Sequence, residues 1–177
     1  MYPPIFKPTV VQIFHIEGQT FQIPKCNVKF EKWSGPPINE TFGRKPLVCV
    51  DNHAMFAELA IRKYFEIDGW DARWVETYGK VKPMYMSEWK DDKYRNQIHH
   101  PFTNNHIDNI LANIAIENSN SYSGCWDVVA CKGDRIIFAE SKHANKDRIR
   151  TTQVNWLASG IRYGLKTDNF LVVQWDM

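Results

Sequence analysis

The chain has 177 residues, a length that fits a single domain. Hydrophobic residues make up 44% of it and aromatic residues 14%, which is enough for a substantial core and argues against wholesale disorder. Its formal net charge of +2 is lower than a strongly basic nucleic-acid-binding domain would carry. The charge is uneven, however, because residues 128–166 contain eight Lys or Arg and three acids, which makes this stretch a local basic patch. No apolar run reaches the length of a membrane span, and four cysteines without a C-x-x-C pair predict free thiols in a reducing cytoplasm.

The first 45 residues alternate short β-type segments with turns. Residues 10–16 and 20–23 flank Glu17-Gly18-Gln19, which predicts a β-hairpin, and residues 27–33 predict a third strand. We therefore expect a small N-terminal β extension over residues 1–45, attached to the main domain.

A helix is expected next, over residues 54–67, with Asp51 or Asn52 as its N-cap. The 3.6-residue period places Glu58 on the apolar face of this helix. Taken alone, that position favours a glutamate at the boundary of the core, paired with Arg62 one turn later.

The stretch from residue 80 to residue 124 predicts an insertion into the domain, after a strand over residues 70–78. Long insertions often carry function. It is polar and aromatic except for one amphipathic helix, which Asn104 or Asn105 would cap and whose apolar stripe is Ile107, Ile110, Leu111 and Ile114. Its histidines could bind a metal, although solvated surface residues are the plainer interpretation: His99, His100 and His106. Cys125 and Cys131 leave a similar choice between zinc ligands and core packing.

A second hairpin is predicted from residues 126–131 and 135–141, which flank Gly133-Asp134. Gly followed by Asp between two β-type runs is typical of a two-residue loop. Such a loop fixes the register, because Lys132 must then pair with Arg135 and the pairing continues away from the turn.

This register places two carboxylates directly opposite each other, since Asp127 then faces Glu140 at roughly 5 Å between Cβ atoms. Lys142 projects from the same face, because side chains alternate along a strand. Like charges at this distance repel, and a divalent cation between them would offset the repulsion. The alternative is an ordinary surface strand end, in which Lys142 neutralises one acid.

A helix predicted over residues 147–165 and a strand over residues 169–175 complete the order of predicted elements along the chain.

With Glu58 on the first helix, Asp127 in the hairpin and Glu140-Ser141-Lys142 after its turn, the chain resembles the PD-(D/E)xK nuclease superfamily. The motif Glu140-Ser141-Lys142, the basic turn through Arg148, and Gln153-Val154-Asn155-Trp156-Leu157 followed by Gly164 resemble VRR-NUC domains, which occur in viral, phage and repair nucleases. The resemblance covers residues 51–175 and departs at Trp126, where the superfamily usually has Pro.

The resemblance implies an α/β fold with a restriction-endonuclease-like core over residues 46–177, in which a mixed central β-sheet is flanked by helices. It further implies a Mg²⁺ or Mn²⁺ site. Asp127 and Glu140 would bind the ion, with the Ser141 backbone carbonyl as a further ligand and Glu58 completing the shell directly or through water.

Two further catalytic roles follow from the same resemblance. Lys142 would orient or help deprotonate the attacking water and would stabilise the charge that develops on the phosphate. Gln153 would position the water or the lysine from the following helix; its alternative is a partly buried polar residue beside Trp156. The implied catalytic set is therefore Asp127, Glu140, Lys142, Glu58 and Gln153.

A basic run follows the active strand and predicts contacts to DNA phosphates, through Lys146, Arg148 and Arg150 together with His143. Its alternative is a solvated helix start. However, basic residues at a helix N-terminus are electrostatically unfavourable by themselves, which mildly favours an anionic ligand.

We therefore expect a metal-dependent DNA endonuclease that cuts duplex or branched DNA in repair, recombination or phage replication, with no membrane partner; family habit suggests a homodimer. A second hypothesis is a type II restriction-type endonuclease in which the insertion over residues 80–124 reads sequence in the major groove. A third is a non-catalytic nucleic-acid-binding protein of the same fold.

Overall fold

The computed structural model describes residues 2–78, 82–103 and 105–177, and within them the chain forms a seven-stranded mixed sheet, a three-stranded sheet and three α-helices. The strands are β1 (Val10–Ile16), β2 (Gln19–Lys29), β3 (Glu31–Lys32), β4 (Val48–Val50), β5 (His53–Met55), β6 (Asp71–Glu76), β7 (Met84–Met86), β8 (Val128–Lys132), β9 (Arg135–His143) and β10 (Phe170–Asp176). The helices are α1 (Ala57–Ile67), α2 (His106–Glu117) and α3 (Thr151–Tyr163). The predicted α/β class with a mixed central sheet is confirmed.

The large sheet has the order β1-β2-β10-β9-β8-β6-β7. Its centre is parallel, because β10 pairs in parallel with both β2 and β9, whereas the remaining neighbours are antiparallel. The N-terminal hairpin turns at Glu17 and Gly18, whose φ values of 50° and 78° suit the turn that matches strand twist. Through β2, this hairpin forms one edge of the central sheet.

The second hairpin has the predicted register. Lys132 pairs with Arg135, and the pairing continues through Val129 with Phe138 to Val128 with Ala139. The turn is compact because Gly133 adopts a φ of 60°. The sequence signal at the turn was therefore sufficient to align the two strands.

Two local predictions were wrong. Asp51 and Asn52 do not cap a helix; both have positive φ (51° and 62°) and form the turn between β4 and β5 of the small sheet. Helix α1 begins only at Ala57, with Phe56 at the N-cap position and no side-chain cap. The strand predicted over residues 27–33 is also divided, because its first part extends β2 and only Glu31–Lys32 forms β3.

The helices cover opposite faces of the central sheet. Helix α1 packs against a cluster that contains Ile137 and Ala139 of β9, while α2 and α3 pack against a cluster that contains Ile136 and Phe138. This alternation continues along β9, so Glu140 follows Phe138 on the α3 side. Helix α2 forms as predicted, with Asn105 at its N-cap position but without a side-chain cap bond, and Asn104 lies outside the described residues. No helix in the described ranges has the length and apolar character that crossing a membrane requires.

Candidate active site

Glu140 is completely buried and borders a cleft of about 1070 Å³. Its Oε1 atom accepts hydrogen bonds from the Lys142 ammonium, at 2.6 Å, and from the Gln153 side-chain amide. Its Oε2 atom is buried and has no hydrogen-bond partner within the described part of the chain. Burial raises the pKa of Glu140 well above its ordinary value, and Asp127 raises it further while Lys142 opposes the shift.

Asp127 lies one residue before β8, next to the last observed pair of the hairpin, Val128 with Ala139. Its Oδ2 atom accepts the Ser141 backbone N–H at 2.9 Å, and its own carbonyl accepts the Val75 N–H at 2.7 Å. The Asp127 charge contributes to raising the pKa values of Glu140, Glu58 and Glu76. Asp127 therefore stands between Glu140 on one side and a second group of acids, Glu58 and Glu76, on the other.

Glu58 belongs to the second group and binds a lysine that sequence reasoning missed. Its carboxylate accepts a hydrogen bond from the Lys45 ammonium, with the Glu58 side chain 10% exposed. Burial raises the pKa of Glu58, against the opposing effect of Lys45. The alternative pairing of Glu58 with Arg62 is wrong, because Arg62 bonds Glu66 at 2.6 Å instead.

Glu76, at the end of β6, is a fourth acid of the cleft that sequence reasoning missed. Burial, followed by the Asp127 charge, raises the pKa of Glu76 to about 6. The Lys45 charge opposes this shift of Glu76. Burial disfavours the charged form of Lys45, but attraction to Glu58, Asp127 and Glu76 outweighs burial and raises the pKa of Lys45. The one available signal was that the predicted strand over residues 70–78 carries an acid near its end.

Lys45 is held in place by the inserted region. Phe42, three residues before Lys45, packs its ring against Trp74 of β6 at 5.9 Å between centroids. The same ring packs against Trp89 and Tyr94 of the inserted region at 5.4 and 5.1 Å. The Lys45 backbone N–H closes a turn onto the Thr41 carbonyl at 3.0 Å. The insertion therefore contributes to the cleft by fixing the segment that carries Lys45.

The start of α3 brings Gln153 to Glu140. The Gln153 Oε1 atom accepts the Arg150 backbone N–H at 2.9 Å, while the amide nitrogen of the same side chain donates to Glu140. The Gln153 carbonyl accepts a bond from the Trp126 indole at 3.2 Å. Gly124 lies under the first turn, where a Cβ atom would be 2.0 Å from the Thr152 carbonyl oxygen. Only glycine allows this close approach.

The predicted phosphate contacts lie along the same cleft. Lys146, Arg148 and Arg150 line it together with Arg44, so positive side chains stand beside the acids. His143 also borders it, but its ring is buried and stacks on Trp175 at 4.1 Å between centroids. The His143 imidazole is thus packed against an indole instead of standing free in the cleft.

The other metal-ligand candidates are dispersed. His99 accepts the Tyr85 backbone N–H at 3.2 Å, and His100 bonds the Ser87 hydroxyl. All four cysteines are free thiols, and Cys125 is buried with its pKa raised well above the ordinary value, chiefly by burial. In the described ranges, no three His, Cys, Asp or Glu side chains converge into a ready-made metal site.

The cleft thus offers oxygen ligands for a hard cation directly beside ammonium and guanidinium groups suited to phosphate. Asp127, Glu140 and Lys142 lie together at the open end of the β8–β9 hairpin, where Lys142 bonds Glu140 and Asp127 accepts the Ser141 backbone N–H. The direct pairing of Asp127 with Glu140 stays a prediction, because the observed register ends at Val128 and Ala139. A comparison with known protein families, with curated proteins and with solved structures found no match to this chain.

Proposed function

We propose that this protein is a metal-dependent DNA endonuclease with a PD-(D/E)xK type of site on a restriction-endonuclease-like core, closest in its motifs to VRR-NUC domains. The observation that carries the proposal is the buried Oε2 atom of Glu140, which has no partner in the described part of the chain. An unsatisfied carboxylate oxygen in a protein interior is costly, and a bound cation would satisfy it. Lys142 fits a phosphodiester substrate, as does the basic wall beside it, which consists of Arg44, Lys146, Arg148 and Arg150.

The residues present fit a Mg²⁺ or Mn²⁺ ion. Glu140 Oε2 and the Asp127 carboxylate would hold it, with the Ser141 backbone carbonyl as a further ligand and Glu58 contributing directly or through water. Mg²⁺ keeps several water molecules and commonly uses only one or two carboxylates, so three converging acids are not required. When bound, the ion supplies a Lewis acid for the phosphate and lowers the pKa of an attacking water molecule.

The protein's own groups would do the rest. Lys142, held at 2.6 Å from Glu140, would orient the attacking water and stabilise negative charge on the phosphate. Gln153 would hold the Glu140 carboxylate in place from α3. Lys146, Arg148 and Arg150 would fix the flanking phosphates. Homodimerisation stays a prediction of the resemblance.

A second candidate is a non-catalytic nucleic-acid-binding protein. It is favoured by one observation: an acid on each side of Asp127 is already paired with a lysine, because Lys45 neutralises Glu58 and Lys142 neutralises Glu140. A site balanced in this way can bind phosphate through its basic wall without any metal.

The test is cleavage of plasmid, branched and single-stranded DNA, with Mg²⁺, Mn²⁺ or a chelator, by the wild type and by Lys142→Met and Asp127→Asn. We expect metal-dependent cleavage that falls at least ~100-fold in both variants. Lys132→Met is the matched control, since this lysine is half-exposed at the hairpin turn and should be dispensable. Cleavage that survives the chelator or both active-site substitutions would contradict the mechanism, and DNA binding without any cleavage would favour the second candidate.

A further inference from the structure

The two sides of Asp127 differ in how their negative charge is balanced. On the β9 side, Glu140 uses only Oε1 to bind Lys142 and Gln153, and its buried Oε2 is left without a partner in the described residues. On the α1 side, the Glu58 carboxylate is bound by Lys45. Each side therefore has a lysine, but within the described residues only the β9 side keeps a buried carboxylate oxygen without a partner.

Lys45 is placed to act on the whole α1 side. Besides its bond to Glu58, its charge is attracted by Asp127 and Glu76. The ammonium also lies 5.5 Å from the centre of the Trp74 ring, at a distance where a cation and an aromatic face attract each other. Its side chain is 30% exposed, so the surrounding groups enclose most of it.

The segment that carries Lys45 is built to hold it there. Phe42 anchors the segment in the aromatic cluster with Trp89 and Tyr94. A few residues earlier, the backbone N–H groups of Asn39 and Glu40 both donate to the Asp91 carboxylate, at 3.0 and 2.7 Å. These contacts come from the inserted region and limit how far Lys45 can move from Glu58.

From this contrast, and resting on the proposed metal-dependent function, we infer that Lys45 is a positioning residue that takes the place of a second divalent cation. It holds Glu58 and compensates Glu76 and Asp127, so that the protein binds a single metal ion, on the Glu140 side. Replacing the ammonium with an uncharged side chain leaves three acids with an excess negative charge, which a second ion would neutralise.

The test is Mn²⁺ stoichiometry, measured by isothermal titration calorimetry and by electron paramagnetic resonance of free Mn²⁺ on the intact 177-residue chain. We expect one ion in the wild type and two in Lys45→Met. Lys45→Arg keeps the positive charge and should bind one. The double variant Lys45→Met/Glu76→Gln should bind the second ion about 10- to 100-fold more weakly than Lys45→Met does.

Arg44→Met is the matched control, because it removes a neighbouring positive charge from the same cleft and should leave the stoichiometry at one. Circular dichroism and thermal unfolding establish that each variant is folded, and Lys45→Gln replaces Lys45→Met if the latter is not. One ion in the wild type and one of unchanged affinity in both uncharged variants would overturn the role of Lys45 alone. Two ions in the wild type would overturn it as well, and no ion in any protein would overturn the proposed metal site itself.

Discussion

A single side-chain amide links Gln153, in the first turn of α3, to the buried carboxylate of Glu140 on β9. The oxygen of that amide also accepts the Arg150 backbone N–H, so the same side chain caps the helix and holds the acid. The position of the carboxylate is thereby tied to the start of α3. Glu140 is oriented by a neighbouring element as well as by its own strand.

Replacing Gln153 with Leu should reduce cleavage while keeping a side chain of similar size at this position. The donated hydrogen bond favours the ionised carboxylate, so its loss raises the pKa of Glu140 further. We expect cleavage to fall about 10- to 100-fold and the acidic limb of the pH–rate profile to move to higher pH. Asn155→Leu, which changes an exposed amide on the same helix, is the control and should leave the profile in place. A uniform loss of rate without a shifted limb would contradict this role.

The stability of the metal-free protein should depend on Glu76 in a defined pH range. Burial raises the pKa of Glu76 to about 6 from an ordinary 4.5, so the folded state holds this proton more tightly than the unfolded chain. The stability associated with that proton is complete below about 4.5 and is lost as the pH rises through about 6. Glu76→Gln should therefore increase the free energy of unfolding by up to about 2 kcal/mol at pH 8 and leave it nearly unchanged at pH 4.

Urea titrations at both pH values measure this difference, with chelator present throughout. Glu88→Gln, which changes an exposed acid on the insertion, serves as the control and should have little effect at either pH. A gain of equal size at pH 4 and pH 8 would show that packing of the amide, and not relief of a buried charge, is responsible.

Gly124 and Gly133 provide a comparison of two glycines that both have positive φ. A Cβ at position 124 would lie 2.0 Å from the Thr152 carbonyl, whereas nothing lies within 4 Å of a Cβ at position 133. Gly124→Ala should therefore lower the free energy of unfolding by about 2–4 kcal/mol, and Gly133→Ala by only about 1 kcal/mol. The first substitution should also reduce cleavage, because it displaces the turn that presents Gln153. Equal destabilisation of the two variants in chemical unfolding would argue against the close packing of Gly124 on α3.

The basic wall should appear in the salt dependence of DNA binding. If Arg148 and Arg150 contact phosphates, each change to Ala should weaken binding on all sequences alike and reduce the slope of log affinity against log salt by about 0.9 on duplex DNA. Fluorescence anisotropy at several salt concentrations, in Ca²⁺ to prevent cleavage, measures the slope. Arg162→Ala is the control, since Arg162 bonds Glu17 at 2.9 Å at the far end of α3. An unchanged slope in both cleft variants would remove them from the DNA contact surface.

The sequence predicted those parts of the fold that local chemistry decides. The Gly133-Asp134 turn was enough to align β8 with β9, and apolar periodicity was enough to locate α2 and α3. The same kind of reasoning failed at Asp51 and Asn52. Both residue types favour helix caps and positive-φ turns alike, and the pairing of β4 with β5 selected the turn.

Half of the cleft could not be predicted because it depends on which strands become neighbours. Glu76 reaches Asp127 only because β6 pairs with β8, and these strands are separated by the whole insertion. Lys45 comes from a segment with no regular structure, and its position depends on the packing of Phe42 against Trp89 and Tyr94. Neither contact leaves a periodic or spacing signal in the chain.

The central place of β10 in the sheet affects how the protein is made. The N-terminal hairpin reaches β9 only through β10, so the edge of β2 that faces away from β1 has no neighbour until residues 170–176 have been synthesised. On the ribosome, a nascent chain would therefore carry β2 as an open edge while the remainder is translated. An open edge of this kind is a point at which newly made chains associate. Slow translation of β10, or truncation before it, should thus lead to aggregation before the acids and lysines of the cleft are brought together.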